Sequence, residues 1–353
     1  MQYARLGSSG LIVSRLAFGV MTFGQGAGVQ AAVSKTTQDE AAALVQRSLD
    51  GGINFFDAAD AYANGQSETM LGKALGSRRK DVVISTKIGF RSSGALTHSG
   101  ASYGYILSAT EACLRRLGTD FVDVLSIHKP DPFTPIEETA RALENLVQRG
   151  LVRYVGYSNF SAWQAAKFVG IQQRNNYSPF VAAQMYYSLL GRDLEYEIVP
   201  FCEDAGIGIV VWSPLAGGFL TGRYTRDDPT GDKGRLSGFD ILPYDRVKAH
   251  DLIDQMPTIA RRHNATIAEI ALAWLLAKSY VTTILLGASK VSQLEDNLGA
   301  AEVKLSPEEV AALDAATAPR PIYPNWFQQR TVDPAASNAL KDGLPAPAHE
   351  SKA

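Results

Sequence analysis

Four side chains in the N-terminal part of the chain are of types that can move a proton together: Asp57, Tyr62, Lys87 and His128. Asp57 and Tyr62 fall in residues 53–62 (INFFDAADAY), Lys87 ends 82–87 (VVISTK), and His128 ends 122–128 (VDVLSIH). Each short apolar run reads as a buried strand that finishes on a group costly to bury unless paired or used. A lone phenol has a pKa of ~10 and is a reluctant proton donor or acceptor at neutral pH. A nearby ammonium favours phenolate, so Lys87 is expected to hold the Tyr62 pKa down, with the Asp57 carboxylate anchoring Lys87. An imidazole such as His128 can hydrogen-bond a substrate oxygen and position it. Together the four make a tunable proton donor facing a carbonyl. Singly, each has a plainer reading: a structural ion pair, a satisfied core histidine, a packed loop tyrosine. Their recurrence at successive strand ends argues for joint use.

Such a cluster needs a frame that brings strand ends to one face. Residues 3–16 read as a β-hairpin turning at Gly7-Ser8-Ser9-Gly10, and 16–20 as a first core strand. The glycines of 21–28 lack the G-x-G-x-x-G spacing, and no helix is expected directly after them, so a dinucleotide fingerprint is rejected. Strand and helix then alternate. Capping boxes are read at Thr37–Glu40, Thr134–Glu137, Ser161–Gln164 and Thr266–Glu269. Helices are expected over 67–76, 102–117, 193–204, 246–262, 267–278 and 291–300, and further strands over 151–157, 181–187, 207–212 and 280–286. Residues 217–243 break the pattern as a long loop of the kind that is usually functional. About eight strand–helix units result, the number that closes a (β/α)8 TIM barrel, whose catalytic groups sit at the C-terminal ends of the strands. The expected fold is therefore α/β: a single barrel domain over 1–353 with an N-terminal hairpin and a core at about 16–300. A helix at 307–316 and a tail from 319 supply a C-terminal substrate loop carrying Tyr323, Trp326 and Phe327.

Composition fits an ordinary globular enzyme, at 46% hydrophobic and 20% charged residues over 353. A net charge of -2 gives no basic field for nucleic acid. No apolar run is long enough to span a bilayer, and MQYARLGSSG has no signal-peptide core, so a cytoplasmic protein is expected. Cys113 and Cys202 then read as buried free thiols. The histidines, at 98, 128, 250, 263 and 349, show no metal-ligand spacing, which argues against a metal-dependent hydrolase.

The segments GGINFFDAADAY, SETMLGKAL, ISTKIG, VDVLSIHKPDP, GLVRYVGYSNFS and LLGASKVSQLEDNLGA, in this order and spacing, resemble an aldo-keto reductase. The resemblance runs from the hairpin to about residue 315. It implies a barrel that binds NADPH (NADP+) without a Rossmann domain and reversibly reduces aldehydes and ketones. It implies a catalytic tetrad of Asp57, Tyr62, Lys87 and His128, with Tyr62 the general acid. For the cofactor it implies contacts from Met21 and Asp57, and Ser158, Asn159 and Gln184 on the carboxamide, where Asn and Gln supply donors and acceptors. Trp212 would stack on the ring. Ser213, Pro214, Leu215, Gly217 and Arg223 would follow the pyrophosphate. Gly287-Ala288-Ser289, before a helix N-terminus, would take a phosphate. Gln293, Asp296 and Asn297 would face the adenosine. Many members carry Arg where this chain has Gln293, so preference for NADPH over NADH falls to Lys290, Arg223 or Arg235. LLGASKVSQLEDNLGA and VWSPL also resemble the potassium-channel β-subunit branch, whose members include interaction proteins. A redox-sensing binding subunit is therefore the rival to a reductase acting on a small carbonyl or alcohol. The complete tetrad, and a chain that opens directly on the hairpin, favour the reductase. The physiological substrate is not read from the sequence, and monomer and homo-oligomer both stay open.

Overall fold

A computed structural model of the chain describes residues 1–231 and 234–340. Strands β1 (Tyr3–Arg5) and β2 (Ile12–Ser14) form the antiparallel hairpin. Eight parallel strands follow: β3 (Leu16–Gly19), β4 (Phe55–Asp57), β5 (Val83–Ile88), β6 (Val122–Ile127), β7 (Val152–Ser158), β8 (Phe180–Tyr186), β9 (Gly208–Trp212) and β10 (Val281–Leu286). They pair in sequence order, and β10 returns to β3, closing the barrel.

Helices α1 (Gln38–Asp50), α2 (Gln66–Leu75), α3 (Tyr103–Leu117), α4 (Ile136–Gln148), α5 (Ala162–Asn175) and α6 (Ile198–Ala205) alternate with the strands. Two helices, α7 (Arg246–Arg262) and α8 (Ile267–Leu276), lie between β9 and β10, and α9 (Val291–Gly299) ends the alternation. Outside it come α10 (Pro307–Ala316), α11 (Asn325–Arg330) and α12 (Pro334–Ala339). The capping boxes at Thr37, Ser161, Thr266 and Ser306 form as their side chains dictate. Among the described residues no helix is long and apolar enough to cross a membrane.

Two local expectations fail. Thr134 does not cap α4: its hydroxyl donates to Asp131 Oδ2 at 2.6 Å, and Pro135 stands at the N-cap without a side-chain bond. Asp131 also accepts from the Ala101 and Phe133 N–H groups, so the hydroxyl serves a loop junction instead of the helix. The expected helix over 193–204 is broken. A 3-10 turn at Asp193–Glu195 precedes α6, with Glu197 at φ -138 between them. The break lets the buried Glu195 accept from Tyr187 Oη as well as from Arg192 Nε three residues before it. Within the expected 217–243 loop, Asp232 and Lys233 lie outside the described residues, as does the tail beyond Leu340.

Side-chain alternation explains the barrel interior. Ala17, Phe55, Val83, Val124, Val210 and Leu285 pack in one cluster with Leu6 and Val13 of the hairpin. Phe18, Phe56, Ile84 and Leu125, one residue later, pack outward against the helices. Leu6 and Val13 therefore plug the N-terminal end of the barrel. Gly7 permits this seating: its φ is +58, and a Cβ there would stand 2.6 Å from the Gly206 carbonyl oxygen. With that end filled, the C-terminal ends of the strands form the accessible face.

Candidate active site

Counting by twos from the inward residues reaches the chemistry. Phe55 inward places Asp57 inward, Val83 places Lys87, Val124 places His128, Ala182 places Gln184, and Val210 places Trp212. Five polar or aromatic side chains thus converge at the C-terminal mouth because each strand keeps its period of two. Tyr62 arrives differently, on a turn after β4 in which Ala63, Asn64 and Gly65 all have positive φ.

Lys87 Nζ donates to Asp57 Oδ2 at 2.6 Å and to the Ala58 carbonyl oxygen at 2.7 Å. Both side chains of the pair are buried, at 0% and 2% exposure. Asp57 Oδ1 accepts from Gln184 Nε2 at 2.8 Å, so both carboxylate oxygens are satisfied. Burial alone would lower the Lys87 pKa, but Asp57 and then Tyr62 outweigh it, and the ammonium is held above its ordinary range. Nζ lies 5.1 Å from the centre of the Tyr62 ring. That ring meets His128 edge-on at 5.9 Å, and Phe90 also packs edge-on against the imidazole at 4.7 Å. Burial, then Lys87 and Lys129, push His128 well below its usual pKa, so the imidazole is neutral near pH 7.

The expected depression of the Tyr62 pKa is not what the structure gives. Burial raises the phenol above its ordinary value; Lys87 opposes this, while Asp57 adds to it. Desolvation penalises the phenolate more than one ammonium, itself neutralised by Asp57, can recover. Lys87 thus limits a rise, and does not produce a net fall.

A hydrogen-bonded chain joins this group to the next strands. Trp212 Nε1 donates to Asn159 Oδ1 at 3.2 Å, and Asn159 Nδ2 donates to the His128 carbonyl and to Ser158 Oγ, both at 2.9 Å. Ser158 Oγ donates to the Gln184 carbonyl at 2.8 Å, and Gln184 reaches Asp57. Asn159, at φ +60, bends the backbone so that its amide can do this. Trp212 packs on Tyr186 at 5.2 Å. Among the described residues the Gln184 side chain hydrogen-bonds Asp57 through one N–H, leaving its Oε1 and second N–H.

The other sequence candidates form a second group along the ends of β9, β10 and β3. The Met21 carbonyl accepts from Ser34 Oγ, and Thr22 Oγ1 donates to the Ala288 carbonyl, both at 2.8 Å. Ser213 Oγ accepts from the Gly217 N–H at 3.1 Å, folding 213–217, with Pro214 and Leu215, into a tight turn at φ +54 for Ser213. Arg223 Nε donates to the Gly231 carbonyl at 2.7 Å. Gly287 is exposed, and Gln293 Oε1 accepts from both the N–H and Oγ of Ser289 at the start of α9. Asp296 is exposed and Asn297 buried. Among the described residues none of these side chains hydrogen-bonds Asp57, Tyr62, Lys87 or His128.

Three nitrogens are buried without a hydrogen-bond partner among the described residues, Arg15 Nε, His128 Nδ1 and Arg235 Nε, and the last two lie close to Tyr62. The Arg235 guanidinium stacks on Phe239 at 4.9 Å, has no ion pair among the described residues, and acts electrostatically on Tyr62. An uncompensated guanidinium at the mouth fits an anionic group such as a cofactor phosphate. The flat Trp212 face and the spare Gln184 amide fit a planar ring bearing a carboxamide.

Residues 15–318 match the family model described as the aldo/keto reductase family. The chain belongs to the aldo/keto reductase family. A probable voltage-gated potassium channel subunit beta of Arabidopsis thaliana is 38% identical over 315 residues, covering 86% of this chain and 92% of that protein. Versiconal hemiacetal acetate reductase of Aspergillus parasiticus is 34% identical over 346 residues, covering 92% of this chain and 99% of that protein. The aldo-keto reductase AFTS1 of Alternaria alternata is 34% identical over 340 residues, covering 89% and 91%.

Three charged residues near the site escaped the sequence reading: Asp60, Glu68 and Arg116. Asp60 stands inside INFFDAADAY itself, and Glu68 in SETMLG. A second carboxylate three residues after Asp57 was the available signal.

Proposed function

We propose that this family member is an NADP(H)-dependent carbonyl reductase that transfers a hydride reversibly between cofactor and an aldehyde or ketone, with Tyr62 as the proton donor. The observation that carries this reading is the buried Asp57–Lys87 pair, 2.6 Å apart, set beside the Tyr62 ring with a neutral imidazole at its edge. The nicotinamide, when bound, supplies the hydride in reduction and accepts it in alcohol oxidation. Tyr62 gives its hydroxyl proton to the carbonyl oxygen, and the Lys87 ammonium stabilises the phenolate left behind. Asp57 keeps Lys87 charged and fixed, while Gln184 keeps Asp57 in place. His128, neutral, donates a ring N–H to the same carbonyl oxygen and orients it.

For the cofactor, Trp212 offers its face to the nicotinamide, with Met21 and Asp57 nearby, and Ser158, Asn159 and Gln184 hold the carboxamide. Ser213, Pro214, Leu215, Gly217 and Arg223 follow the pyrophosphate, and Gly287 and Ser289 take a phosphate of the adenosine half beside Gln293, Asp296 and Asn297. Because Gln293 is neutral, NADPH preference rests on Arg235, Lys290 or Arg223, with NADH as a weaker alternative. Tyr323, Trp326 and Phe327 cluster in the tail, where Asn325 Nδ2 donates to the Tyr196 carbonyl at 2.9 Å, on the segment after β8. Aromatics in this tail favour an apolar or aryl carbonyl as substrate.

The channel-subunit relative favours a second reading, a redox-sensing subunit that holds its cofactor and turns over slowly. An NADPH-oxidation screen with aryl aldehydes, sugars, diketones and steroid-like ketones, followed by single-turnover traces, separates the two. Fast steady turnover supports the reductase, and fast hydride transfer with slow release the sensor. Tyr62→Phe should keep NADPH affinity and lose about 10²–10⁴-fold of carbonyl reduction. Wild-type turnover by that variant on a substrate limited by chemistry would overturn the proton-donor role.

A further inference from the structure

Asp60 lies in the turn between Asp57 and Tyr62, and its N–H donates to the Lys87 carbonyl at 3.0 Å. Its carboxyl is buried, and neither oxygen has a hydrogen-bond partner among the described residues. Beside it Glu68, fully buried, accepts from Thr86 Oγ1 and from Arg116 Nε, both at 2.6 Å. Arg116 also donates to Cys113 Sγ at 3.3 Å. One guanidinium therefore faces two carboxyl groups and is bonded to only one of them. The same guanidinium runs under the turn that carries Tyr62: Gly65 has φ +82, and a Cβ there would lie 2.5 Å from Arg116 Cδ and Nε. Thr86 points out of the barrel between two inward residues, so this cluster lies behind β5, between the barrel wall and helices α2 and α3.

The charged and titratable groups facing Asp60 are Glu68 on α2, Arg116, Cys113 and Tyr105 on α3, and Lys87 on β5. Burial, first in each case, holds the Cys113 thiol and the Tyr105 phenol above their ordinary values, so both stay neutral near pH 7. Burial, then the Glu68 charge, pushes the Asp60 carboxyl up to about 7, with Arg116, the adjacent Ala61 N–H and Lys87 opposing.

We propose that Asp60 is a positioning residue for the proton step, its change of charge acting through Lys87 on the proton held by Tyr62. The inference rests on the reading of Tyr62 as proton donor. Asp60 touches neither the reacting oxygen nor Tyr62 by a hydrogen bond among the described residues. When it ionises, a second negative charge behind Lys87 ties the ammonium more firmly and disfavours the phenolate. When it is neutral, Tyr62 releases its proton more readily. The catalytic turn thus carries its own proton-sensitive group, outside the substrate cleft and insulated from direct contact with ligand.

The test compares wild type, Asp60→Asn and Asp60→Glu as full-length proteins, measuring kcat/KM for alcohol oxidation with NADP+ from pH 6 to 8.5. The ratio of Asp60→Asn to wild type should rise about 3–10-fold across that range, less than a charge in direct contact would produce. Asp60→Glu should hold the ratio nearer to constant. A purely structural role lowers activity by the same factor at every pH, so a flat ratio for Asp60→Asn in an active enzyme overturns the proposal. Melting temperatures give a readout independent of activity: Asp60→Asn should gain on wild type between pH 5 and 8, because wild type loses stability as Asp60 ionises. An unchanged difference would show that Asp60 does not titrate there, and also overturns the proposal. If wild type reduces no carbonyl in the substrate screen, the reductase reading fails first, and the melting comparison still decides whether Asp60 titrates.

Discussion

Replacing Lys87 by Met, alone and together with Asp57→Asn, separates a catalytic ion pair from a structural one. Methionine keeps the length of the side chain and removes the charge. In the single variant the Asp57 carboxylate keeps Gln184 Nε2 at 2.8 Å but loses its 2.6 Å ammonium, in a place 2% exposed. Stranding a buried charge in this way costs about 3–5 kcal/mol, or roughly 6–10 °C of melting temperature at about 2 °C per kcal/mol for a chain of this size. The double variant leaves a neutral amide against a thioether and should recover most of that loss. Catalysis should not follow in full. With Nζ 5.1 Å from the Tyr62 ring centre, the lost attraction for a full phenolate is about 3 kcal/mol at an effective dielectric near 20, equal to about two pKa units. In the single variant a transition state carrying part of that charge should slow by about 10- to 100-fold in both directions of the reaction; the double variant also sheds the Asp57 charge that opposes the phenolate, so it should recover part of that loss and not all of it. The assay pairs thermal melts with kcat/KM for a deuterated and an undeuterated alcohol, the isotope effect confirming that hydride transfer is measured. Activity that returns fully to wild type along with stability in the double variant would show that Lys87 only holds the fold, and the tuning argument would fall.

Binding of NADPH should quench tryptophan fluorescence mainly through Trp212, and Trp212→Ala should lose most of the quench and weaken binding; an unchanged quench would place the nicotinamide elsewhere. His128 should shape the acid limb of stability. Its folded pKa lies well below the ordinary 6.5, so the unfolded chain takes up a proton first, and stability is lost as pH falls below about 6.5. His128→Gln should therefore lose less melting temperature than wild type between pH 8 and pH 5, and equal losses would refute the buried, neutral imidazole.

Much of the barrel follows from local rules. Each strand is a short apolar run, each carries its side chains alternately in and out, and capping boxes at Thr37, Ser161 and Thr266 start helices where their sequences say. That periodicity alone places Asp57, Lys87 and His128 inward at one end, so the grouping of these three side chains was legible in the sequence. Thr134 shows the limit of a local rule. Its capping-box spacing was present, but Asp131, already tied to Ala101, offered the hydroxyl a better acceptor.

What the chain could not reveal by itself depends on residues distant in sequence meeting in space, and on how much water they exclude. Gln184 reaches Asp57 from 127 positions away, and Arg116 reaches Glu68 from 48. Neither pairing has a local signature, because strand register and helix packing set it. The sign of the Tyr62 shift is of the same kind. The residue types suggested an ammonium that lowers a phenol pKa, and they supplied that ammonium at the right place. Only the closed barrel, with the turn folded over β5, removes enough water for desolvation to outweigh it. Residue identity and spacing determined which groups stand at the barrel mouth, since both are encoded in a few consecutive positions. Tertiary packing decided their protonation, because the cost of a buried charge is fixed by everything around it.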